Sequence, residues 1–316
     1  MLSVNKIGKT YGSKHALENV SFSCGKAELI GLIGQNGAGK TTLLNILAGR
    51  LAPSSGSVKV CGHDILWEPE KSKSHVGYLP ERPGFYDEMT VSGQLKFVCR
   101  IKGIVPEDAD RHIAELAERT GISDVLGRRI GNLSKGYRQR VGIAAALAGN
   151  PEIVLLDEPT TGLDPVQIKE MRSLVRDLAK NQLVILSTHL LRDLDGLCTR
   201  ALMLDQGRLI KDYQISRDGR QQERTLRVEI AMGREAADHL LNHLPSVKRA
   251  ELLPAQMPGI TAALITGDYE APMERELFQA LVKAESVLMR MSPVKSELEE
   301  IFLSALTVRS PEEENA

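Results

Sequence analysis

Gly34-Gln35-Asn36-Gly37-Ala38-Gly39-Lys40-Thr41 stands between the largely apolar run Ala27 to Ile33 and a segment carrying Leu43, Leu44, Ile46 and Leu47. The run before it reads as a buried strand and the glycines as a turn. Lys40 to Ala48 reads as a helix whose apolar residues occupy more than one face, so it is expected to be enclosed on several sides. Gly-x4-Gly-Lys-Thr in a strand–loop–helix setting is a phosphate-binding loop: glycines let backbone N–H groups close on phosphate oxygens at a helix N-terminus. The candidate nucleotide-binding residues here are Gly34, Asn36, Gly37, Ala38, Gly39, Lys40, Thr41 and Thr42. Lys40 is expected to reach the β- and γ-phosphates, and the Thr41 hydroxyl to bind Mg²⁺. Kinases, helicases and GTPases share this loop, so it gives ATP or GTP chemistry and no more.

Ile153 to Leu156 is a second apolar run, followed by Asp157 and Glu158, and Leu183 to Leu186 is a third. Continuous apolar runs of this length suit strands covered on both faces of a mostly parallel sheet. Met171 to Ala179 has helical character and completes a strand–helix–strand unit. Acidic residues often end strands, so Asp157-Glu158 alone is weak evidence. Beside the loop it becomes strong: Asp157 is placed to hold the Mg²⁺ shell and Glu158 to polarise water for in-line attack on the γ-phosphate.

Leu133-Ser134-Lys135-Gly136-Tyr137 precedes a helix containing Val141, Ile143 and Ala144 to Ala146. Ser134 and Gly136 would expose a hydroxyl and N–H groups at a second anion-binding helix end. Standing alone, the segment would be read as an ordinary capped helix. One triphosphate does not need two such ends, and the economical reading gives this one to the nucleotide of a second copy.

Composition bounds the rest. The chain of 316 residues is 42% apolar and 26% charged, with 40 basic and 41 acidic residues and a formal net charge of −1. That balance offers no global drive toward nucleic acid or an anionic surface, and no nucleic-acid partner is expected. No secretory signal is evident at Met1-Leu2-Ser3-Val4. No apolar run approaches the roughly 20 residues of a membrane span, so any membrane role must come through a partner. Cys24, Cys61, Cys99 and Cys198 are scattered without a CxxC pair, as expected of reduced thiols.

With these segments in hand, residues 1 to 213 resemble the ATPase subunits of ATP-binding-cassette (ABC) transporters. Leu133 to Tyr137 is similar to that family's signature motif, departing from the commonest Leu-Ser-Gly-Gly-Gln at Lys135 and Tyr137. The resemblance implies an α/β P-loop cassette with a mixed-sheet core and a helical subdomain over about 82–141. It implies γ-phosphate contacts from Ser134, Gly136 and the switch residue His189, and a D-loop at Gly162-Leu163-Asp164-Pro165 in which Asp164 acts across a dimer interface. It also implies adenine stacking by Tyr11 and metal contact by Glu81, which stands where the family usually has glutamine. Two copies would sandwich two ATP and Mg²⁺ and drive integral membrane permease subunits made as separate chains. The protein would then sit at the cytoplasmic face of the membrane, peripheral through those subunits.

In the loop after Glu81, Phe85, Tyr86 and Met89 either form a docking surface for the membrane subunit or seal the helical insert. Val91, Leu95, Val98, Ile113 and Leu116 give that insert its helical spacing. Beyond Asp212 the composition changes, and 214–224 reads as a polar linker. The order of segments that follows, over 225–308, is βαββαβ, that of a small α+β ferredoxin-like domain. Ser296 to Leu306 reads as a last helix, with Ser296 and Glu299 as a capping box, and 309–316 as a disordered tail. Such a domain is read as a dimerisation or membrane-subunit contact surface, with a ligand-binding regulator as the other possibility. The Tyr78-Leu79-Pro80-Glu81 variant, Lys135, Tyr137 and Leu298 to Leu303 resemble drug-efflux and gliding-motility-type exporters. The alternative is a soluble ABC ATPase acting on ribosomes or DNA, against which stand the single cassette, the missing heptad stretch and the even charge. No residue in the chain specifies a cargo.

Overall fold

Alternating burial on a long N-terminal hairpin starts the chain: β1 (Leu2–Tyr11) and β2 (Lys14–Cys24) pair antiparallel. Neither strand is legible in the sequence, because register shifts and left-handed backbone at Lys6 and Asn19 break their alternation. The computed structural model describes residues 1–191, 194, 196–215, 223–254, 259–268 and 271–294. The expected helix 296–306 and tail 309–316 lie outside them.

β3 (Leu29–Ile33) leads into α1 (Lys40–Leu47), followed by β4 (Ser55–Val60), β5 (His63–Asp64), α2 (Pro69–Ser74) and β6 (Val76–Leu79). Three helices come next: α3 (Val91–Ile101), α4 (Pro106–Thr120) and α5 (Lys135–Leu147). The unit continues with β7 (Ile153–Asp157), α6 (Pro165–Leu178), β8 (Leu183–Thr188), β9 (Arg200–Asp205) and β10 (Arg208–Gln214). β2-β1-β4-β5 form one antiparallel sheet, and the second sheet runs β10-β9-β3-β8-β7-β6. Within the second, β6, β7, β8, β3 and β9 are parallel and β10 is antiparallel to β9, so this core sheet is mixed.

α1 buries Leu43, Leu44, Ile46 and Leu47 in a single core that also takes Leu17 and Val20 of β2, Ile30 and Leu32 of β3, and Leu155 of β7. The helix is thus enclosed by both sheets, as its several apolar faces require. That burial fixes where α1 begins, and hence where its N-terminus points.

The helical insert is held by backbone bonds from Val91 and Ser92 to Arg128 and Leu126. Its third helix packs on the sheet, with Gly142 against Leu79 and Gly77 against Ala146. α5 runs unbroken to Leu147, because its apolar second half is needed to cover β6.

Ser216–Ala316 is a separate compact unit from Met1–Ile215. Its described elements are β11 (Glu223–Ile230), α7 (Arg234–Asn242), β12 (Arg249–Leu252), β13 (Thr261–Asp268), α8 (Met273–Lys283) and β14 (Leu288–Pro293). The sheet is antiparallel in the order β12-β13-β11-β14, and Val228, Ile230, Ala263 and Ile265 pack with Leu241, Leu277 and Leu281 of the helices. The expected linker 214–224 is cut at both ends by strand pairing, Gln214 with Arg200 and Glu223 with Asp268. Among the described residues, no helix is long and apolar enough to cross a membrane.

Candidate functional site

β3 ends at Ile33, and the chain turns through Gly34 to Gly39 before α1 starts at Lys40. Gly39 sits at φ +104, and a β-carbon there would lie 2.6 Å from the Ala16 carbonyl oxygen, so the turn requires glycine. No side chain caps α1. Its first-turn N–H groups are therefore left for an anion, reinforced by the positive end of the helix dipole. A cleft of about 440 Å³ opens there. Asn36, Gly37, Gly39, Lys40, Thr41 and Thr42 line it, whereas Gly34 and Ala38 are buried behind it.

Lys40 folds back under the loop. Its Nζ donates to the Gly34 carbonyl at 2.8 Å and the Gln35 carbonyl at 3.2 Å, and stands 3.7 Å from Glu158 Oε1. Burial lowers the pKa of its amine, while the Glu158 and Asp157 carboxylates pull it back up. These bonds hold the ammonium in the loop, where a phosphate oxygen would find a charged donor.

The parallel pairing of β7 with β8 places Asp157 directly opposite Ser187. Asp157 is fully buried; Ser187 Oγ donates to its Oδ1 at 2.6 Å and the Tyr78 hydroxyl to its Oδ2 at 3.4 Å. Burial, aided by the Asp157 charge, pushes the Tyr78 phenol well above its ordinary pKa, so it stays a proton donor. Ser187 Oγ also accepts the Glu158 N–H at 2.9 Å.

Glu158 has left-handed backbone, φ +50, unusual for glutamate and the kind of local cost that surrounding bonds must hold in place. The effect is to turn its side chain into the cleft. Its Oε2 accepts Thr161 Oγ1 at 3.0 Å and lies 2.9 Å from His189 Nδ1. Lys40, Thr161 and His189 thus converge on one carboxylate, an arrangement that orients a proton acceptor beside a phosphate-binding cation.

Tyr11 closes β1 at the cleft rim, half exposed, with Lys9 Nζ 5.3 Å from its ring centroid. Glu81, just after β6, also lines the cleft. Lys14, Ala16 and Thr161 are lining residues that the sequence reading did not single out. They lie a few residues from Tyr11 and Glu158 in sequence, and the β1–β2 hairpin and the turn after β7 bring them here.

Ser134, Gly136 and Asp164 are not among the residues lining this cleft. Ser134 caps α5, its Oγ accepting the Tyr137 N–H at 3.4 Å, and Asp164 caps α6, accepting the Gln167 N–H at 2.9 Å. In a single chain they serve as helix caps. The loop after Glu81 divides its residues between the two expectations: Phe85 is half-buried against Gly142 and under Arg138, whereas Tyr86 is exposed.

Comparison with known proteins fits this geometry. Residues 17–161 match the ABC transporter family model. The uncharacterized ABC transporter ATP-binding protein YdbJ of Bacillus subtilis is 31% identical over 99% of this chain and 98% of its own. This chain belongs to the ABC transporter ATP-binding proteins. The bacitracin transport ATP-binding protein BcrA of Bacillus licheniformis is 34% identical over 67% of this chain and 69% of its own. Among solved structures, the ATP-binding cassette MJ0796, in a dimeric post-hydrolysis state with ADP and Pi, shares the fold at a TM-score of 0.63. The match is 23% identical and covers 68% of this chain and 99% of that one. The ABC protein described here is accordingly the ATP-binding, ATP-hydrolysing motor subunit of a transporter, and the ribosome- or DNA-directed alternative is not favoured.

Proposed function

We propose that two copies of this ABC subunit close around two ATP, each held by the Lys40 cleft of one chain and the Ser134 helix end of the other. One observation carries the reading. The helix end at Lys40 has no side-chain cap and lies on the cleft, whereas Ser134 at the start of α5 is exposed and does not line it. A second copy supplies the missing half. That MJ0796 is dimeric supports an assembly of two copies.

In this scheme the first-turn N–H groups of α1 and the Lys40 ammonium bind the phosphates, and Tyr11 offers a ring face to adenine. Glu158, aligned by Thr161 and His189, accepts the proton of the attacking water. His189 and Ser134 sit where added γ-phosphate contacts are needed, and Asp164 meets the partner. Much of the rate enhancement is then electrostatic, from donors fixed before reaction.

The Thr41 hydroxyl and the Glu81 and Asp157 carboxylates are hard oxygen donors suited to Mg²⁺. No group of three His, Cys, Asp or Glu among the described residues is placed to hold a metal unaided. An ion held by so few protein ligands is completed by phosphate oxygens and arrives with the nucleotide. When bound, Mg²⁺ neutralises charge on the β- and γ-phosphates.

The motor works on separate integral membrane subunits at the cytoplasmic face of the membrane, in the direction of export. BcrA, a bacitracin transport protein, supports the transport role. Residues 223–294 are read as a ferredoxin-like accessory module, supported by βαββαβ order with strands arranged β12-β13-β11-β14, and as a contact surface for a second copy or the membrane subunit.

Glu158→Gln tests the scheme. The variant is expected to bind ATP with wild-type affinity, to lose hydrolysis by about a thousandfold, and to run as a dimer in light scattering only when ATP is present. Hydrolysis at the wild-type rate would remove Glu158 as the base, and a monomer in ATP would remove the sandwich.

A further inference from the structure

Lys9 lies two residues before Tyr11 at the end of β1, and its ammonium is held from two sides. Its Nζ donates to the Ala52 carbonyl at 2.8 Å and stands 5.3 Å from the Tyr11 ring centroid. Tyr11 lines the cleft, whereas Lys9 is not among the lining residues. The cation therefore meets the ring on the side away from the cleft.

The Ala52 carbonyl belongs to a loop that is itself bonded to β1. The Ser54 N–H donates to the Gly8 carbonyl at 2.8 Å, and Ser54 Oγ accepts the Thr10 N–H at 3.1 Å. With the Lys9 bond, Ala52 and Ser54 hold three consecutive residues of β1, Gly8 to Thr10. This loop leaves α1, whose first residue is Lys40. The helix that opens the phosphate site thus also anchors the strand end that carries Tyr11.

Tyr11 itself stands at the tip of the β1–β2 hairpin, where the chain turns at Gly12 with φ +58, and its ring is half exposed. A ring in that position moves between rotamers unless a contact holds it, and fixing it on binding costs entropy. A cation on one face supplies the hold through the ring quadrupole and leaves the other face open.

We infer that Lys9 is a positioning residue for the nucleotide: anchored on the Ala52 carbonyl, its ammonium holds the Tyr11 ring with the free face turned to the base. This rests on the reading that Tyr11 stacks on adenine. The effect then belongs to the nucleoside end of the ligand and leaves the grip of α1 on the phosphates unchanged.

Calorimetric titration of the full chain with ADP and with pyrophosphate separates the two ends, because pyrophosphate keeps two phosphates and lacks the nucleoside. Lys9→Met preserves the length of the stem and removes the charge. It is expected to weaken ADP binding about threefold to fivefold and to leave pyrophosphate within about 1.5-fold. In ATP hydrolysis the loss is expected in KM rather than kcat. Lys9→Arg keeps a cation that stacks on aromatic faces and is expected to restore most of the affinity. On a Tyr11→Ala background, Lys9→Met is expected to cost nothing further, since both act through one ring.

Unchanged ADP binding by Lys9→Met would overturn the inference. So would equal weakening of ADP and pyrophosphate, which would make Lys9 a general attractor of anions, or a full further loss on the Tyr11→Ala background. Tyr11→Ala alone separates the two readings. Wild-type ADP binding by that variant removes adenine stacking, and the role of Lys9 with it. Weakened ADP binding by Tyr11→Ala but not by Lys9→Met removes only the role of Lys9.

Discussion

Asp157 and Ser187 face each other across the ends of parallel strands β7 and β8, with Ser187 Oγ 2.6 Å from Asp157 Oδ1. The same hydroxyl accepts the Glu158 N–H, so one serine fixes both acidic residues and holds Glu158 in its left-handed backbone. Ser187→Ala leaves a buried carboxylate oxygen and a backbone donor short of a partner. The expected cost is about 2 kcal/mol in urea unfolding, by the usual penalty for orphaned buried polar groups. ATP hydrolysis is expected to fall about tenfold or more, since misplaced catalytic groups lose rate steeply. Ser187→Thr keeps the hydroxyl and is expected to recover most of both. Unchanged hydrolysis in the alanine variant would count against Ser187 as the support for Glu158.

Lys40 gives a pH dependence whose sign follows from its burial. Desolvation lowers the ammonium pKa from its ordinary 10.5, and an incoming triphosphate restores it by supplying negative oxygens. ATP binding in the alkaline range below 10.5 should therefore take up a proton, and affinity should fall as pH rises through the lowered value. The decline is limited to about tenfold per pH unit for one proton. In the ligand-free protein the unfolded chain holds that proton longer, so this residue's contribution to stability rises with pH over the same window. Calorimetry in buffers of different ionisation heat measures the uptake directly. Lys40→Arg, which cannot deprotonate in this range, is expected to bind more weakly but with a flat profile. A flat profile in the wild type would contradict the burial effect.

The two sheets were not equally legible. Ile153 to Leu156 and Leu183 to Leu186 announce themselves because strands covered on both faces need every residue apolar. β1 and β2 did not, since half of their residues face solvent and their bulges shift the alternation at the very positions that would define it. α6 was recognised only from Met171 onward. Its first turn, Pro165 to Ile168, is set by the Asp164 cap and a proline at the first helical position, not by apolar spacing. Lys40, Asp157 and Glu158 were readable because loop and strand chemistry is local. Ser187 and Thr161 were not, because their bonds to Asp157 and Glu158 depend on the register of β7 with β8 and on the turn after β7.

Cys24 supplies a test of the core beside β2. Burial pushes its thiol from the ordinary 9.0 up to about 12, with the Arg200 guanidinium opposing the shift. A raised folded-state value means that the native protein keeps a proton the unfolded chain has lost. The thiol's contribution to stability is therefore complete below 9.0 and declines as pH rises toward about 12. Urea unfolding between pH 8 and 10.5 is expected to show the wild type weakening more steeply than Cys24→Ala; parallel curves would rule the effect out. The buried thiol is also expected to resist alkylation at pH 8 until the protein is unfolded.

Tyr86 and Phe97 meet edge to face, ring centroids 5.8 Å apart, and remain 58% and 40% exposed. Ile101, one helical turn beyond Phe97, and Val105 at the start of α4 are exposed as well. Apolar side chains left in water on a rim of charged residues mark a contact for another protein, and the proposed membrane subunit is the partner at issue. Tyr86→Ser and Phe97→Ser remove apolar area of which the isolated subunit leaves about half in water. Stability should then fall by no more than about 1.5 kcal/mol, the worth of one aromatic pair, and ATP binding, whose cleft neither ring lines, should be unaltered. Recovery of the membrane subunit with the double variant from detergent extracts is expected to drop about tenfold or more, since a few aromatic anchors carry much of the binding energy of an interface. Full recovery would assign the patch to a different partner and leave Phe85, packed under Arg138, as no more than a seal on the insert.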